Sequence, residues 1–229
     1  MTTDAALARL VPAVREVHRH RKDALDRLKA EAQAEAGRPD LLWHMLLQSF
    51  ATMGKSSGQE GLIRTPENYD RLRYERLAAL DPSARREEIA DVCRRAKIRM
   101  PDKKAGWLAA GFDLIAALGG PDAANTARLS LASREEKAAF LAQFPGIGPK
   151  YARNIHMDTY DEHFRDTIAI DTRIENVSAA LGLSFPRAYP EHERFYQEVA
   201  RAAGLSGWEL DRLLYHYGDD VRERVGGAA

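Results

Sequence analysis

The sequence has 229 residues, a length that suits one compact domain or two small lobes sharing a core. Hydrophobic residues make up 45% and charged residues 30%, which argues against an intrinsically disordered chain. Because 34 Lys and Arg balance 34 Asp and Glu, any affinity for nucleic acid must come from a local asymmetry of charge. The single cysteine, Cys93, excludes an internal disulfide and a four-cysteine metal site.

The N-terminus lacks the basic start and apolar run of a secretory signal. No stretch approaches the roughly 18 apolar residues that a membrane-spanning helix needs. We therefore expect a soluble, cytoplasmic protein.

Apolar residues recur at three- and four-residue steps along most of the chain, which predicts helices, and no window alternates convincingly for a strand. The predicted fold class is therefore all-α. Ser133 and Glu136 form a predicted capping box, and Gly119 to Pro121 reads as a stop signal. A polar loop is expected at 53–61 and a frayed tail at 226–229. Helices are expected, in chain order, at 4–35, 40–52, 66–80, 84–98, 102–118, 133–144, 150–157, 170–181, 190–203 and 207–217.

The most informative segment is Phe144–Arg153, which reads FPGIGPKYAR and lies between two predicted helices. Gly146 and Gly148 flank one apolar residue and allow a tight turn whose backbone N–H groups point outward. Together with the start of the next helix, these groups can hold a phosphate oxygen, a contact that positions a protein on DNA without reading its sequence. Ile147 would anchor the turn in the core. The segment therefore predicts a DNA contact through Gly146, Ile147 and Gly148.

This segment resembles the helix-hairpin-helix of the endonuclease III and 8-oxoguanine glycosylase superfamily of DNA repair enzymes, whose hairpin reads roughly L-P-G-[VI]-G-x-K-x-A. Here Phe144 replaces the leucine, and Lys150 occupies the position of the catalytic lysine. A G-I-G hairpin alone occurs in many DNA-binding modules, whereas family members that only remove a base usually have another residue at the lysine position. The resemblance implies that Lys150 is the nucleophile and that Arg153 contacts DNA.

The second half of the family signature, V-D-[TV]-H-[VI]-x-R, is matched by residues 170–176, which read IDTRIEN. Asp171 follows Lys150 by 21 residues, a few more than in the family, and the excess falls in a polar stretch where an insertion is tolerated. Arg173 replaces the usual histidine and Asn176 the usual arginine, which changes the surroundings of the aspartate. The resemblance implies that Asp171 is the charged partner of Lys150, although read alone it would simply cap the following helix.

Three further segments are similar to the family more loosely. The early helix ends in LLQSFAT, where Gln48 or Phe50 would fill the gap left by an extruded base. Lys104 lies where a small polar motif opens a later helix, and it is a predicted DNA contact. It ends a basic run, 94–104, which either contacts DNA or forms only a solvated helix face. Residues 208–218, WELDRLLYHYG, resemble the last helix before the family's iron–sulfur loop, and we expect a member without that cluster.

The resemblance implies two helical lobes that flank a DNA-binding cleft. Residues 38–160 would form a helical barrel lobe that ends in the hairpin. Residues 1–37 and 161–229 would form the second lobe. Lys150 and Asp171 would then face one nucleotide from opposite sides of the cleft.

The implied activity is base-excision repair by a DNA glycosylase with AP-lyase activity, which removes an oxidised base such as 8-oxoguanine or an oxidised pyrimidine. The nucleotide must first rotate out of the base stack. Lys150 would attack the sugar C1′, and a Schiff base followed by β-elimination would break the strand. The amine must be neutral to attack, and partial burial would lower its pKa. Asp171 would stabilise positive charge on the sugar and help deprotonate the amine.

This chemistry requires no metal ion and no diffusible cofactor. The expected partner is double-stranded DNA with a damaged base or an abasic site, and we expect a monomer associated with the nucleoid. Two alternatives stay open. A glycosylase without lyase activity is disfavoured by Lys150. A helix-hairpin-helix DNA-binding module without chemistry explains the glycines but not the pairing of Lys150 with Asp171.

Overall fold

The structure is a computed structural model that describes residues 2–54, 57–185 and 189–226. Within these ranges every regular element is helical and no β-strand is present, so the predicted all-α class is confirmed. A π-helical turn at Gln59–Ile63 and a 3₁₀ turn at Glu162–Phe164 accompany the α-helices. The α-helices are, in chain order, α1 (Thr3–Ala36), α2 (Leu41–Thr52), α3 (Pro66–Arg71), α4 (Tyr74–Ala78), α5 (Pro82–Arg95), α6 (Pro101–Ala117), α7 (Pro121–Leu129), α8 (Arg134–Ala142), α9 (Pro149–Asp158), α10 (Thr172–Ala180), α11 (Tyr189–Ala203) and α12 (Gly207–Gly226).

The start of α8 confirms the predicted capping box. The Ser133 hydroxyl accepts the backbone N–H of Glu136 at 3.2 Å, and the Glu136 carboxylate accepts the backbone N–H of Ser133 at 3.1 Å. Two N–H groups that the helix itself leaves without acceptors are satisfied in this way. The start of the helix that leads into the glycine turn is therefore fixed by its local sequence.

The single predicted helix 66–80 is wrong, because the structure has α3 and α4 with a break at Leu72 and Arg73. Arg73 has an extended backbone, with φ −59° and ψ 139°. The Leu72 carbonyl accepts a hydrogen bond from the Trp43 indole N–H at 2.7 Å. The buried Trp43 on α2 thus provides a donor to a carbonyl at the end of α3. The two residues are distant in sequence, so the pattern of residues 66–80 alone does not predict the break.

The sequence pattern predicts no helix at the position of α7, because Gly119, Gly120 and Pro121 read as a stop signal. In the structure these residues both end α6 and begin α7. The two glycines have φ values of 96° and 102°, and Pro121 is the first residue of α7. Proline is favoured there because the N–H that it lacks would have no helical acceptor. The tripeptide therefore ends one helix and begins the next.

The expected loop at 53–61 is a loop only in part, since the π-helical turn begins at Gln59. Lys55 and Ser56 of this loop lie outside the described residues, as do residues 227–229 of the expected tail.

Helix α12 extends to Gly226, beyond its predicted end at 217. The backbone leaves helical geometry at Tyr217, with φ −133° and ψ 23°, next to Gly218. The helix is therefore kinked at this point and does not end.

The chain divides into two compact units. Unit 1 contains Met1–Ala34 and His156–Ala229, and unit 2 contains Glu35–Ile155. The boundaries expected from the sequence fall after residues 37 and 160. In the part of the chain that the structure describes, no helix is both long enough and apolar enough to cross a membrane.

The core of unit 2 forms around α2, in which 10 of the 12 residues are buried. Aromatic rings surround this helix. Trp43 packs edge-on against Tyr74 and Phe112, with ring centroids 6.2 Å and 5.7 Å away. Tyr74 and Phe112 stack on each other at 4.4 Å. A helix that is apolar on nearly all sides is therefore enclosed by other helices, as expected for such a pattern.

The core of unit 1 combines the apolar stripe of α1 with buried side chains of α10, α11 and α12. Leu10, Val14 and Val17 supply the stripe at steps of three and four residues. The Arg9 guanidinium donates to the carbonyl of Val225, which ties the start of α1 to the end of α12.

Candidate functional site

A glycine turn, Phe144–Gly148, connects α8 to α9 in unit 2. Gly146 has a φ of 85°, and a Cβ atom there would lie 2.5 Å from Trp107 Cε3 and 2.9 Å from Phe50 Cε1. Both the backbone angle and the available space therefore require glycine. Ile147 is 4% exposed and belongs to the core of unit 2, as its apolar character predicts.

The backbone of this turn prepares the start of α9. The Ile147 N–H donates to the Phe144 carbonyl at 3.0 Å and closes the turn, and the Ala152 N–H donates to the Gly148 carbonyl at 3.0 Å. Lys150 and Tyr151 follow the proline that begins α9, and N–H groups in the first turn of a helix have no acceptor in a preceding helical turn. They lie at the positive end of the helix dipole, which makes this end suited to an anion.

Lys150 is the second residue of α9, and its side chain is exposed. The expected partial burial of its amine is therefore wrong for the protein alone. Tyr151 hydrogen-bonds to the backbone of Gly54, and burial raises the pKa of its hydroxyl. Arg153, a predicted DNA contact, is partly buried on the same helix. The turn before Lys150 and the tyrosine after it thus fix the backbone from which the amine extends.

Asp171 is the N-cap of α10 in unit 1. Its Oδ1 accepts the backbone N–H groups of Arg173 at 2.9 Å and Ile174 at 3.1 Å. Its Oδ2 accepts a hydrogen bond from Arg173 Nη1 at 3.0 Å. The side chain is 29% exposed. The carboxylate therefore caps a helix, is held in one orientation, and is still accessible.

The extended residues before Asp171 are held by two carboxylates from other helices. The Ala169 N–H donates to Asp211 Oδ1 at 2.8 Å, and the Ile168 N–H donates to Glu193 Oε1 at 3.3 Å. Asp211 belongs to α12 and Glu193 to α11. The backbone that presents Asp171 is therefore attached to α11 and α12.

Asp211 is buried, with 5% of its surface exposed. Burial raises the pKa of its carboxyl to about 6, Asp171 and Asp158 act in the same direction, and Arg212 and the Ala169 N–H oppose them. Asp211 is in neither half of the family signature, although the sequence contains a signal for it. Asp211 lies among buried leucines of α12, and a carboxylate at a core position of a helix needs a specific partner.

The two candidate wedge residues on α2 differ in exposure. Phe50 is 1% exposed and packs against Trp107, with ring centroids 5.6 Å apart. The same two rings limit the space at Gly146. A wedge role for Phe50 is therefore wrong in this structure, because the ring belongs to the core that shapes the glycine turn. Gln48 is partly exposed, and it remains the candidate.

Lys104 is completely buried. Its Nζ donates to the carbonyl of Phe50 at 2.7 Å and to the carbonyl of Met53 at 2.8 Å, and burial lowers the pKa of the amine. A direct phosphate contact by Lys104 is therefore wrong in this structure. The lysine satisfies carbonyls that the end of α2 leaves without donors.

The basic run 94–104 is partly neutralised by its neighbours. Arg94 pairs with Asp102 at 2.9 Å, and Arg95 pairs with Asp91 at 2.7 Å. Two of its arginines thus lie in exposed ion pairs, which contribute little to stability.

Met100 lies within this run and in neither half of the family signature. It is 42% exposed and has a left-handed backbone, with φ 55° and ψ 58°, immediately before the first residue of α6. Such a conformation is costly for a residue with a side chain, and strained positions cluster at functional sites. Lys103 lies nearby in sequence, and its Nζ is 5.0 Å from the centre of the Trp107 ring. The same ring packs against the glycine turn at Gly146. The sequence signal is an apolar residue between basic ones, directly before a proline.

Within the described ranges, no group of three or more His, Cys, Asp or Glu side chains is arranged to hold a metal ion. No protein-family model matches the sequence, and no curated protein matches it.

Solved structures do match, over almost the whole chain. The 8-oxoguanine DNA glycosylase of Thermotoga maritima has a TM-score of 0.67 at 20% identity and covers 92% of this chain and 96% of its own. The 8-oxoguanine glycosylase/lyase of Methanocaldococcus jannaschii, in complex with DNA containing 8-oxoguanine, has a TM-score of 0.68 at 16% identity and covers 90% and 95%. The fold is that of 8-oxoguanine DNA glycosylases. A second M. jannaschii 8-oxoguanine DNA glycosylase structure agrees, with a TM-score of 0.68 at 17% identity and coverage of 91% and 92%. At these identities the likeness concerns the fold.

Proposed function

We propose that this chain is a DNA glycosylase with AP-lyase activity that acts on an oxidised base in double-stranded DNA, with 8-oxoguanine as the first candidate. One observation carries the proposal: Lys150 presents an exposed amine at the second position of a helix, directly after a turn that requires glycine. The shared fold supports it, because the matching structures are of 8-oxoguanine glycosylases and one contains DNA with 8-oxoguanine.

The glycine turn would grip the DNA backbone. The free N–H groups at the start of α9 and the positive end of its dipole suit a phosphate oxygen. Such a contact carries no sequence information, but it fixes the position of the protein along the strand. The backbone that carries the Lys150 side chain is then fixed relative to the gripped phosphate.

Extrusion of the damaged nucleotide leaves a gap in the base stack. Gln48 is partly exposed at the end of α2 and would fill this gap. Met100 is exposed beside cationic residues and is suited to a second contact with the stack, because proteins that distort DNA often insert an apolar side chain between bases.

The Lys150 amine would reach the sugar of the extruded nucleotide and attack in its neutral form. The amine nitrogen attacks C1′, the bond from C1′ to the base breaks, and the base leaves with that electron pair and takes up a proton. The nitrogen lone pair then opens the C1′–O4′ bond to give a protonated Schiff base, and O4′ takes up a proton. Removal of a proton from C2′ breaks the C3′–O bond and cuts the strand, and water finally hydrolyses the Schiff base to release the lysine.

Asp171 would act through its charge. Its carboxylate would stabilise the positive charge that develops on the sugar as the base leaves, and it would accept the proton that the attacking amine loses. Capping uses Oδ1, whereas Oδ2 is bonded only to the half-exposed Arg173 side chain within the described residues, so Oδ2 is the oxygen available for this role.

The test is cleavage of duplexes that contain 8-oxoguanine, thymine glycol, uracil or an abasic site. We expect strand cleavage at the abasic site and at one or more oxidised bases. Lys150→Gln should abolish cleavage. Lys22→Gln, which removes a lysine whose side chain is 60% exposed on α1, should leave it unchanged.

The same panel separates the alternatives. A DNA-binding module without chemistry would shift every duplex on a gel and cut none of them. A glycosylase without lyase activity would release the base and leave an intact strand until heat or alkali is applied. Either result contradicts the proposed lyase chemistry.

A further inference from the structure

A small pocket in unit 1 is lined by residues of α10 and α12 and has a volume of about 90 Å³. Arg173 and Asn176, the two positions at which the chain departs from the signature around Asp171, both line it. The pocket therefore adjoins the first turns of the helix that Asp171 caps. The side of the pocket formed by α12 includes Tyr215, His216, Gly218 and Arg222.

Two arginines give the pocket its cationic side chains, and each is paired with one carboxylate, Asp171 or Asp219. Arg173 and Arg222 line it, and Asp219 is the carboxylate among its lining residues. Asp219 pairs with Arg222 at 3.1 Å, but its side chain is 82% exposed, and so exposed a pair is weak. Burial lowers the pKa of the His216 ring, and the charges of Arg212 and Arg173 lower it further. Arg173 and Arg222 are the cations that would attract an anion.

Helix α12 is kinked on this side of the pocket. Tyr217 interrupts the helical geometry next to Gly218. A Cβ atom at Gly218 would meet no other atom within 4 Å, so the space beside this backbone is open.

Arg173 connects the pocket to Asp171. Its Nη1 donates to Asp171 Oδ2 at 3.0 Å, and its guanidinium carbon lies 4.1 Å from the centre of the Tyr215 ring. The carboxylate and the ring thus hold the guanidinium plane in place. The remaining N–H groups of the guanidinium are available to an anion in the pocket, and such an anion would fix Arg173 and, through it, Asp171.

We propose that this pocket binds one backbone phosphate of the DNA strand whose nucleotide Asp171 acts on. The inference rests on the proposed function and adds to it a second phosphate contact, in unit 1. Arg173 and Arg222 would provide charge-assisted hydrogen bonds, the Asn176 amide would provide a neutral donor, and the open space beside Gly218 would leave room for the anion. Arg173 is a positioning residue, since the phosphate would orient Asp171 through it.

The test measures the salt dependence of binding to a duplex that carries a tetrahydrofuran abasic analogue, which β-elimination cannot cleave. A plot of log K against log salt concentration loses a slope of about 0.9 for each phosphate contact that is removed. We expect this loss for Arg222→Gln. Gly218→Asp, which adds a negative charge in open space, should lower the affinity at least as much. Arg201→Gln, on the exposed part of α11 beside a different pocket, is the control and should keep the wild-type slope.

The outcomes separate the inference from the proposed function. Wild-type slopes for both Arg222→Gln and Gly218→Asp would overturn the phosphate site, and cleavage by the wild-type protein would still support the proposed function. An equal loss for Arg201→Gln would also overturn it, because the effect would then be one of net charge. A wild-type protein that does not bind the duplex contradicts both. If the variants unfold at the wild-type temperature, a smaller slope of log K against log salt concentration reflects a lost DNA contact and not unfolding.

Discussion

The two proposed catalytic groups are presented in opposite ways. Lys150 directly follows the glycine turn, and its side chain is exposed and has no partner among the described residues. Asp171 is bonded through both carboxylate oxygens. The backbone before it is held by Asp211 and Glu193, which are distant in sequence.

This difference fits the proposed chemistry. A nucleophile must reach toward a sugar carbon and remain mobile until DNA binds, so a rigid backbone with a free side chain suits it. A charge that stabilises a transition state is effective only if its orientation is set in advance. The comparison therefore predicts that substitutions at Lys150 remove activity without affecting stability, whereas substitutions around Asp171 affect both.

The strongest test of the comparison is Lys150→Gln. Because the side chain is exposed and makes no structural contact in the described part of the chain, we expect unchanged thermal unfolding. Loss of the nucleophile should lower the rate of strand cleavage by roughly a thousandfold or more. Single-turnover cleavage of an 8-oxoguanine duplex measures this. A stability change above about 0.5 kcal/mol would show that Lys150 has a structural role as well.

Two substitutions at Asp171 separate its cap from its charge. Asparagine is as good an N-cap as aspartate, so Asp171→Asn should keep the stability and lower the cleavage rate by roughly 10²- to 10³-fold. Asp171→Ala should lose the same activity and, in addition, about 1 kcal/mol of stability. Urea unfolding and cleavage kinetics on the same preparations measure both effects. Full activity of Asp171→Asn would leave the residue only as a helix cap.

The glycine turn can be broken without touching either charged group. Gly146→Ala places a Cβ atom 2.5 Å from Trp107 at a φ of 85°, so we expect a loss of about 3–4 kcal/mol from strain and displaced core packing. Phosphate contacts should weaken as the turn shifts. Gly148→Ala is the matched control, because a Cβ atom there meets nothing within 4 Å. Equal unfolding free energies for the two variants would contradict the packing described for the turn.

The sequence predicts the features whose partners are close along the chain. The capping box of Ser133 and Glu136 depends on a few consecutive residues, as does the tight turn that the two glycines allow. The rings of Trp107 and Phe50, which leave no space for a side chain at Gly146, are distant in sequence. The Ala169–Asp211 contact joins residues 42 positions apart, and the Lys104–Phe50 contact joins residues 54 apart. Neither contact has a local pattern. Lys104 in particular reads as a solvated cation until the fold places the end of α2 against it.

The buried Asp211 gives a pH test of the long-range side of the comparison. Burial raises its pKa to about 6 in the folded protein, above about 3.9 in the unfolded chain. The folded protein therefore binds more protons between pH 4 and 6, so this carboxyl makes the free energy of unfolding fall as the pH rises through that window. The full effect is on the order of 3 kcal/mol. Urea unfolding of wild type and Asp211→Asn at a series of pH values measures this effect as the difference between their free energies of unfolding. A difference that does not change with pH would contradict the burial of Asp211.

The smallest expected effect distinguishes two neighbouring lysines. Lys104→Met leaves the carbonyls of Phe50 and Met53 without a donor and should cost about 1–2 kcal/mol of stability, with no change in the salt dependence of DNA binding. Lys103→Met removes an exposed charge, so it should weaken the salt dependence of DNA binding and leave the stability unchanged. If Lys104→Met lowers the slope of log K against log salt concentration and leaves the stability unchanged, Lys104 contacts DNA in the complex and is not buried there.

The most direct test of the central claim is to map the covalent intermediate. Incubation with an abasic-site duplex in the presence of borohydride reduces the Schiff base to a stable adduct, and proteolysis with mass spectrometry locates the modified residue. The proposed mechanism predicts that the adduct lies on Lys150. An adduct on another lysine or on the N-terminal amine, or strand cleavage with no trapped protein, would contradict it.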